Sequence, residues 1–514
     1  MLLKNYSVYL KTAEQAVYDQ FWHELESNTN QVPNVPDRTV EISNEMKFLP
    51  QHCDYYLTAE EATTLASDPR VQSVNCRDDM KIFNMAVMGG VTHPKGTYTG
   101  AIGNWGLIRS NAATNVYGTG NTASTPNYTY TLDGTGVDII VADSGLQVDH
   151  PEFFDANGVS RVQQINWFTT AGVSGTQNAN HYRDFDGHGT HCAGLAAGKT
   201  FGFAKNARVY SIKINGLEGS GDSGTGISIS DFYNVVIGFH NNKAVDSRGV
   251  KRPTILTMSW GYIHDFGGMT GGRYRGTTYT STVADSAKGN LGTRIGMSYD
   301  SEDASLAAVA AAGVIIFRAA GNYYHKIDVA GGLDYDNYYT TSGFNYFYNR
   351  AGSPTCPAAI VVGATDSTTY DASLDQKATF SESGPDVDLY APGYLVNSST
   401  STTNRFSGGN YYLNSSFKQV CISGTSMATP LAAGLAALFV QLSPTASSAS
   451  IKASMIDKAT ATIYTTGLDN DYTNHRSIKG SAQKHLFNPF NSASNTLIAG
   501  TCPTYSGPFT ITQG

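Results

Sequence analysis

Four short stretches carry side chains that could act together on a carbonyl carbon. Ser426 lies in Ser423-Gly424-Thr425-Ser426-Met427-Ala428-Thr429-Pro430, ahead of the small-residue run Leu431–Leu442. A serine hydroxyl is a poor nucleophile until a base takes its proton. A helix N-terminus adds a favourable field for an oxyanion formed beside it. His188 stands between two glycines in Asp186-Gly187-His188-Gly189-Thr190-His191-Cys192-Ala193-Gly194, which predicts an exposed, uncrowded imidazole suited to a general base. Asp143, in Val141-Ala142-Asp143-Ser144-Gly145, ends an apolar strand-like run and could hold the imidazole in one tautomer. Asn322 closes Arg318-Ala319-Ala320-Gly321-Asn322, where its carboxamide could donate to an oxyanion. Loss of one such donor costs roughly 3–4 kcal/mol.

Each stretch also has a plainer reading. Ser426 could cap a helix, Asp143 could start a turn, and Gly321-Asn322 could form one. His188 and His191 have metal-ligand spacing, but no carboxylate stands where a zinc protease needs its glutamate; His191 reads as structural. Order along the chain favours chemistry. Asp143, His188 and Ser426 come in the order of the subtilisin triad. The Gly424-Thr425-Ser426-Met427-Ala428 segment looks like a hydrolase nucleophile elbow, but that fold needs its serine first.

On these residues the sequence resembles the subtilisin-like serine proteases, and within them the proteinase K-like branch, over about Trp105 to Ala459. Ser259-Trp260-Gly261, Gly219-Ser220-Gly221, His150-Pro151-Glu152-Phe153 and Ala391-Pro392-Gly393 add to the resemblance. It implies a three-layer α/β/α fold with a mostly parallel sheet. It implies a serine endopeptidase in which Ser426 attacks, His188 carries the proton, Asp143 steadies the imidazolium, and Asn322 holds the oxyanion with the Ser426 N–H. Gly219, Ser220 and Gly221, with Ser259, Trp260 and Gly261, would be two backbone strands gripping an extended polypeptide substrate. Ala319, Ala320 and Gly321 would form one wall of a side-chain pocket. Catalysis would need no cofactor, but Asp388 with the carbonyls of Pro357 and Ala359 matches a calcium position, a weak one with three oxygens. Residues 1–80 resemble the family's inhibitory propeptide, especially Tyr56–Cys76, with cleavage expected within Asp78–Ala101. Two departures stand out. Trp260 replaces a smaller apolar residue and is expected to narrow a pocket, and Leu431 replaces a histidine.

The elements that must position these groups are legible as patterns. Val137–Ala142, Val209–Ile214, Thr254–Met258, Val314–Phe317 and Ile360–Gly363 are short apolar runs alternating with helical stretches. They predict a parallel sheet with helices on both faces. In residues 1–80, strand-like Tyr6–Lys11 precedes Ala13, Val17, Phe21 and Leu25, one apolar helix face. Strand-like Asp54–Leu57, a capping box from Thr58 to Glu61 and strand-like Val71–Cys76 follow. Together they predict a ferredoxin-like β-α-β-β-α-β module. Residues 81–101 read as a linker, 102–465 as the peptidase domain and 466–514 as a C-terminal extension. Three Tyr- and Gly-rich stretches, about Tyr262–Tyr299, Tyr323–Arg350 and Ser398–Asn414, read as long loops.

Composition narrows the alternatives. The 514 residues carry only 15% charged side chains and a formal net charge of −8. That excludes a basic nucleic-acid surface. No apolar run suits a membrane span or a signal-peptide core, which points to an intracellular or virion-associated chain rather than a Sec-secreted one. The six cysteines include no C-x-x-C pair, so zinc is not expected and mostly free, buried thiols are. The expected partners are a polypeptide substrate and the chain's own N-terminal module. A structural virion protein using the same fold as a scaffold is the alternative.

Overall fold

In the computed structural model, described for residues 2–27, 32–84, 88–90, 104–121, 123–124, 128–155, 157–214, 225–247, 249–265, 269–281, 294–341, 343–465, 475–490 and 509–511, a small α+β unit leans on a larger α/β one. The small unit runs β1 (Lys4–Leu10), α1 (Gln15–Ser27), β2 (Ile42–Glu45), β3 (His52–Leu57), α2 (Ala59–Leu65) and β4 (Val71–Cys76). Its antiparallel strands lie in the order β2-β3-β1-β4. Phe21 and Leu25 of α1 are buried against Val8, Leu10, Tyr55 and Leu57, as their four-residue spacing requires. The Thr58–Glu61 capping box starts α2, with reciprocal bonds of 3.2 and 2.8 Å.

Residues read as a linker contain two strands, β5 (Lys81–Asn84) and β6 (Met88–Gly90). The large unit continues with α3 (Trp105–Ser110), β7 (Tyr128–Tyr130), β8 (Asp138–Asp143), α4 (Trp167–Ala171), α5 (His188–Ala197), β9 (Arg208–Lys213), α6 (Ile229–Asn242) and β10 (Thr254–Met258). Next come β11 (Trp260–Asp265), β12 (Met269–Tyr274), β13 (Thr277–Thr280), β14 (Arg294–Met297), α7 (Asp300–Ala311), β15 (Ile315–Ala319), β16 (Tyr338–Thr341) and β17 (Phe344–Phe347). The remainder is β18 (Ile360–Thr369), β19 (Asp375–Lys377), β20 (Leu389–Pro392), β21 (Val396–Thr400), β22 (Gly409–Tyr411), β23 (Asn414–Ser423), α8 (Thr425–Leu442), α9 (Ser448–Lys458) and β24 (Phe509–Ile511).

The central sheet has the order β19-β18-β15-β10-β8-β9, with β20 also paired to β18. Every pairing in it but β18–β19 is parallel. Strand alternation divides its apolar side chains between two layers. Ile139, Val141, Ile255 and Phe317 pack with α5, α8 and α9. Ile140, Ala142, Leu256 and Ile316 pack with α4, α6 and α7. This is the three-layer α/β/α arrangement expected. Helix α8 is long and apolar enough to cross a membrane, yet it is a core helix, 94% buried. Five cysteines, Cys53, Cys76, Cys192, Cys356 and Cys421, are free and buried.

The stretches expected as loops are largely strands. β12 and β13 come from the first and β16 and β17 from the second, and they join in one sheet, β13-β12-β16-β17. Glycine permits the join: a Cβ on Gly272 would lie 2.3 Å from the Tyr338 carbonyl oxygen and 2.4 Å from the Tyr279 hydroxyl. The third stretch supplies β22 and most of β21, both paired with β23. Residues 475–490 also pack on the large unit, where His485 bridges Tyr390 and Leu486 joins the core.

The two units meet across buried charge. Arg77 bonds Asp54 at 3.1 Å and pairs with Glu302 of α7. Asp54 also accepts from Ser230 of α6 at 2.5 Å. Glu302 accepts from Tyr233 at 2.7 Å and Tyr262 at 3.0 Å.

Candidate active site

β8 delivers Asp143 at its C-terminal end, and α5 begins at His188. His188 Nδ1 lies 2.8 Å from Asp143 Oδ1, and the Ser144 N–H donates to the same oxygen at 2.7 Å. A carboxylate on Nδ1 leaves Nε2 for a reaction partner. The flanking glycines have a docking role. A Cβ on Gly189 would lie 2.1 Å from the Gly145 carbonyl oxygen, and Gly187 adopts φ +90°. Any larger residue at 189 would push α5 off the strand end. His188 is consequently buried, at 0% exposure, and not the exposed ring its glycine neighbours suggested.

Two acids given no role in the sequence reading organise this turn. Asp184 accepts from the Gly187 and Thr190 N–H groups, both at 2.8 Å, from Thr190 Oγ1 at 2.6 Å and from Ser144 Oγ at 2.9 Å. Burial still raises its pKa. Asp186 accepts from the His188 N–H at 3.2 Å and pairs with Arg405 at 2.6 Å. Burial pushes its carboxyl up to about 7, against the opposing pull of His188 and Arg405. An aspartate just before a helix is a capping signal that could have marked both.

Ser426 is the second residue of α8. Its hydroxyl donates to the Ser259 carbonyl at 3.0 Å, and Ser259 Oγ donates to the Ser426 carbonyl at 3.1 Å. Asn322 Oδ1 accepts from the Thr425 N–H and Oγ1, each at 2.9 Å, which leaves Nδ2 as the donating end of the amide. Cys192 sits beneath, its Sγ 3.7 Å from His188 Nδ1. With Asp143 and His188 it places three ligand-type atoms within 4.8 Å of one another. Burial pushes its thiol well up. His191 bonds the Val396 and Val420 carbonyls at 3.1 and 3.0 Å; burial lowers it to about 3, in keeping with a structural role. Leu431 is wholly buried in the core.

The remaining expected residues divide. Gly219, Ser220 and Gly221 lie outside the described residues. Ser259 meets Ser426, and β11 pairs antiparallel with β5: Asn84 faces Trp260, Phe83 faces Gly261 and Ile82 faces Tyr262. On the other side, β6 pairs with β23, Met88 facing Ser423. The chain's own segment therefore flanks Ser426 on both sides. The Trp260 indole, expected to narrow a pocket, is buried in the core layer against Phe232 of α6, ring centroids 5.9 Å apart. Ala319 and Ala320 are fully buried at the end of β15. Behind Gly321 stands Glu382, whose carboxyl carbon would lie 2.4 Å from a Cβ there. Burial pushes Glu382 up to about 8, although Arg318, Lys479 and Lys377 pull the other way.

The expected calcium position has a different occupant. The Pro357 and Ala359 carbonyls and the Asp388 carboxylate do converge, but on Lys452 Nζ, at 3.2, 2.8 and 2.8 Å. An ammonium taking all three oxygens leaves no room for a metal ion among them, so this donor set does not fit calcium.

Comparison with known proteins agrees with this geometry. The subtilase family model matches residues 134–480. An extracellular serine proteinase of Thermus sp. is 29% identical over 79% of this chain and 70% of its own length. The alkaline serine protease ver112 of Corniculantispora psalliotae is 30% identical over 74% of this chain and 69% of its own. Among solved structures, fervidolysin from Fervidobacterium pennivorans, a keratinolytic enzyme related to subtilisin, superposes with a TM-score of 0.52. It is 15% identical, over 94% of this chain and 60% of that one, a likeness of fold alone. The chain belongs to the subtilase family, the peptidase S8 group of serine proteases.

Proposed function

We propose that this chain is a serine endopeptidase made as a precursor, with residues 1–80 as its inhibitory propeptide and its own segment held across the catalytic cleft. The observation that carries the reading is the bracketing of Ser426 by β5 on β11 and β6 on β23, beside the Asp143–His188 pair. An extended strand on the rim of a nucleophile is the posture of a peptide substrate. Ser426 turns its hydroxyl from the Ser259 carbonyl to His188 Nε2 and attacks the peptide carbonyl. His188 takes the proton and returns it to the leaving amine, while Asp143 stabilises the imidazolium. The oxyanion is held by Asn322 Nδ2 and the Ser426 N–H at the start of α8. Water then hydrolyses the acyl-enzyme. In the precursor the bond cut lies between Asn84 and Met88, the interval between the two paired strands.

The test is labelling with a fluorophosphonate together with N-terminal mapping. Wild type is expected to label at Ser426 and to show a new N-terminus at residue 85, 86, 87 or 88. Ser426→Ala is expected to abolish both. A folded, propeptide-free sample that does not label overturns the reading.

A further inference from the structure

We infer that Arg405 is a positioning residue for the proton transfer at His188, holding the start of α5 through Asp186 from outside the catalytic group. The inference rests on the proposed peptidase reading and deepens it. The first turn of a helix has N–H groups with no partner inside the helix. A polar side chain at the N-cap normally takes one of them, but the N-cap of α5 is Gly187, which has none. Outside acceptors serve instead. The His188 N–H donates to Asp186 at 3.2 Å, the Gly189 N–H to Ser144 Oγ at 2.9 Å and the Thr190 N–H to Asp184 at 2.8 Å. Asp186 therefore holds the main chain of the general base itself.

That hold depends on a cation. The Asp186 side chain is fully buried, and a carboxylate without a charged partner there would take up a proton and become a weaker acceptor. Arg405 Nε lies 2.6 Å from it. Arg405 belongs to the third Tyr- and Gly-rich stretch, in the link between β21 and β22, which lies as a strap over this turn. The Arg405 N–H donates to the Asp186 carbonyl at 3.0 Å, and Thr400 Oγ1 donates to the Gly187 carbonyl at 3.0 Å. The Thr402 N–H donates to Gln147 Oε1 at 2.7 Å, which joins the strap to the turn after Asp143. The Phe406 ring, 4.7 Å from the Arg405 guanidinium, flanks the His188 ring at 6.4 Å and 37°. Asp143 fixes one nitrogen of the imidazole, and the strap fixes its main chain and its flank.

The test uses the full chain after self-processing, with active sites counted by fluorophosphonate titration and a peptide of residues 79–90 as substrate. In Arg405→Ala, kcat is expected to fall at least tenfold with KM within twofold, because a displacement of about 1 Å at a reacting group can cost about a hundredfold. The rate of fluorophosphonate labelling falls in step, since the same histidine takes the serine proton. Arg405→Lys recovers most of the loss, because the contact is a single one that a point charge can make. Asp186→Asn behaves like Arg405→Ala, and the double variant loses no more than either alone. If Arg405→Ala does not fold, Asp186→Asn decides by the same measure. A kcat within twofold of wild type, or a loss confined to KM, overturns the positioning role and leaves the peptidase reading standing. A folded wild-type chain with no titratable serine overturns both.

Discussion

Arg77 and Lys452 are both cations clamped by oxygen atoms, in opposite settings. The Arg77 side chain is 9% exposed and its carboxylate partners Asp54 and Glu302 are fully buried. It joins the N-terminal unit to the peptidase domain, and its planar fork reaches both acids at once. Lys452 is 21% exposed, its partner Asp388 is 14% exposed, and all its contacts lie within the peptidase domain. The acids respond differently. Burial alone would raise Asp54, but Arg77, His52 and Ser230 more than reverse it and hold the carboxyl well below the usual range. Burial raises Asp388 and Lys452 does not fully offset it. The first clamp is thus over-compensated and the second under-compensated, so the molecule's dependence on them should differ sharply.

The largest effect is expected at Arg77. Removing one partner of a buried ion cluster strands the others in a poor dielectric, at a cost of about 3–5 kcal/mol. Arg77→Ala, made in the uncut Ser426→Ala chain, should lose that much in urea unfolding. Arg77→Lys should recover little, because a point charge cannot serve two carboxylates with fork geometry. A loss under about 1 kcal/mol for Arg77→Ala would remove the distinction between the clamps.

Acid gives the next effect, with opposite signs at the two sites. Asp54 has a depressed folded pKa, so its contribution is present above the unfolded value of about 3.9 and lost as pH falls below it. Asp388 has a raised folded pKa, so it favours the folded state below about pH 3.9 and loses that contribution as pH rises through the folded value. As pH falls below about 3.9 the uncut Ser426→Ala chain should therefore weaken more steeply than its Arg77→Ala counterpart. Parallel stability curves for the two would show that Arg77 does not hold Asp54 ionised.

How much of this could be read from residues depends on whether the partners are local. Asp143, His188, Ser426 and Asn322 each sit at the end of a run whose period shows the element, and the five core strands were legible for the same reason. The Thr58–Glu61 box was visible because both its bonds close within four residues. Asp184 and Asp186 stand just ahead of a helix, but their partners Ser144 and Arg405 lie far along the chain. β5 and β6 were unreadable because their reason to be strands is the edge they join, far along the chain. The same holds for β12 and β16, whose tyrosines and glycines make sense only when paired. Arg77 and Lys452 were invisible as clamps, since Glu302 and Asp388 are brought to them by folding.

The smallest expected effect is also the one that bears most directly on the calcium expectation. Lys452→Ala should cost only about 0–1 kcal/mol, because a partly exposed Asp388 can be rehydrated. The substitution nevertheless changes what the three oxygens can bind. One carboxylate, two carbonyls and water make a weak calcium site, with a Kd of about 10⁻⁴–10⁻³ M. At about 10 mM calcium, occupancy would stabilise the variant by roughly 1.4–2.7 kcal/mol. The parent gains nothing at this position, because Lys452 already fills it. Melting both proteins in a chelator and in calcium separates the cases, since calcium sites elsewhere would shift both alike. A larger calcium shift in Lys452→Ala than in the parent identifies the ammonium as the built-in cation. A larger shift in the parent would mean that Lys452 leaves those oxygens when calcium arrives, and the two clamps would then differ in kind as well as in strength.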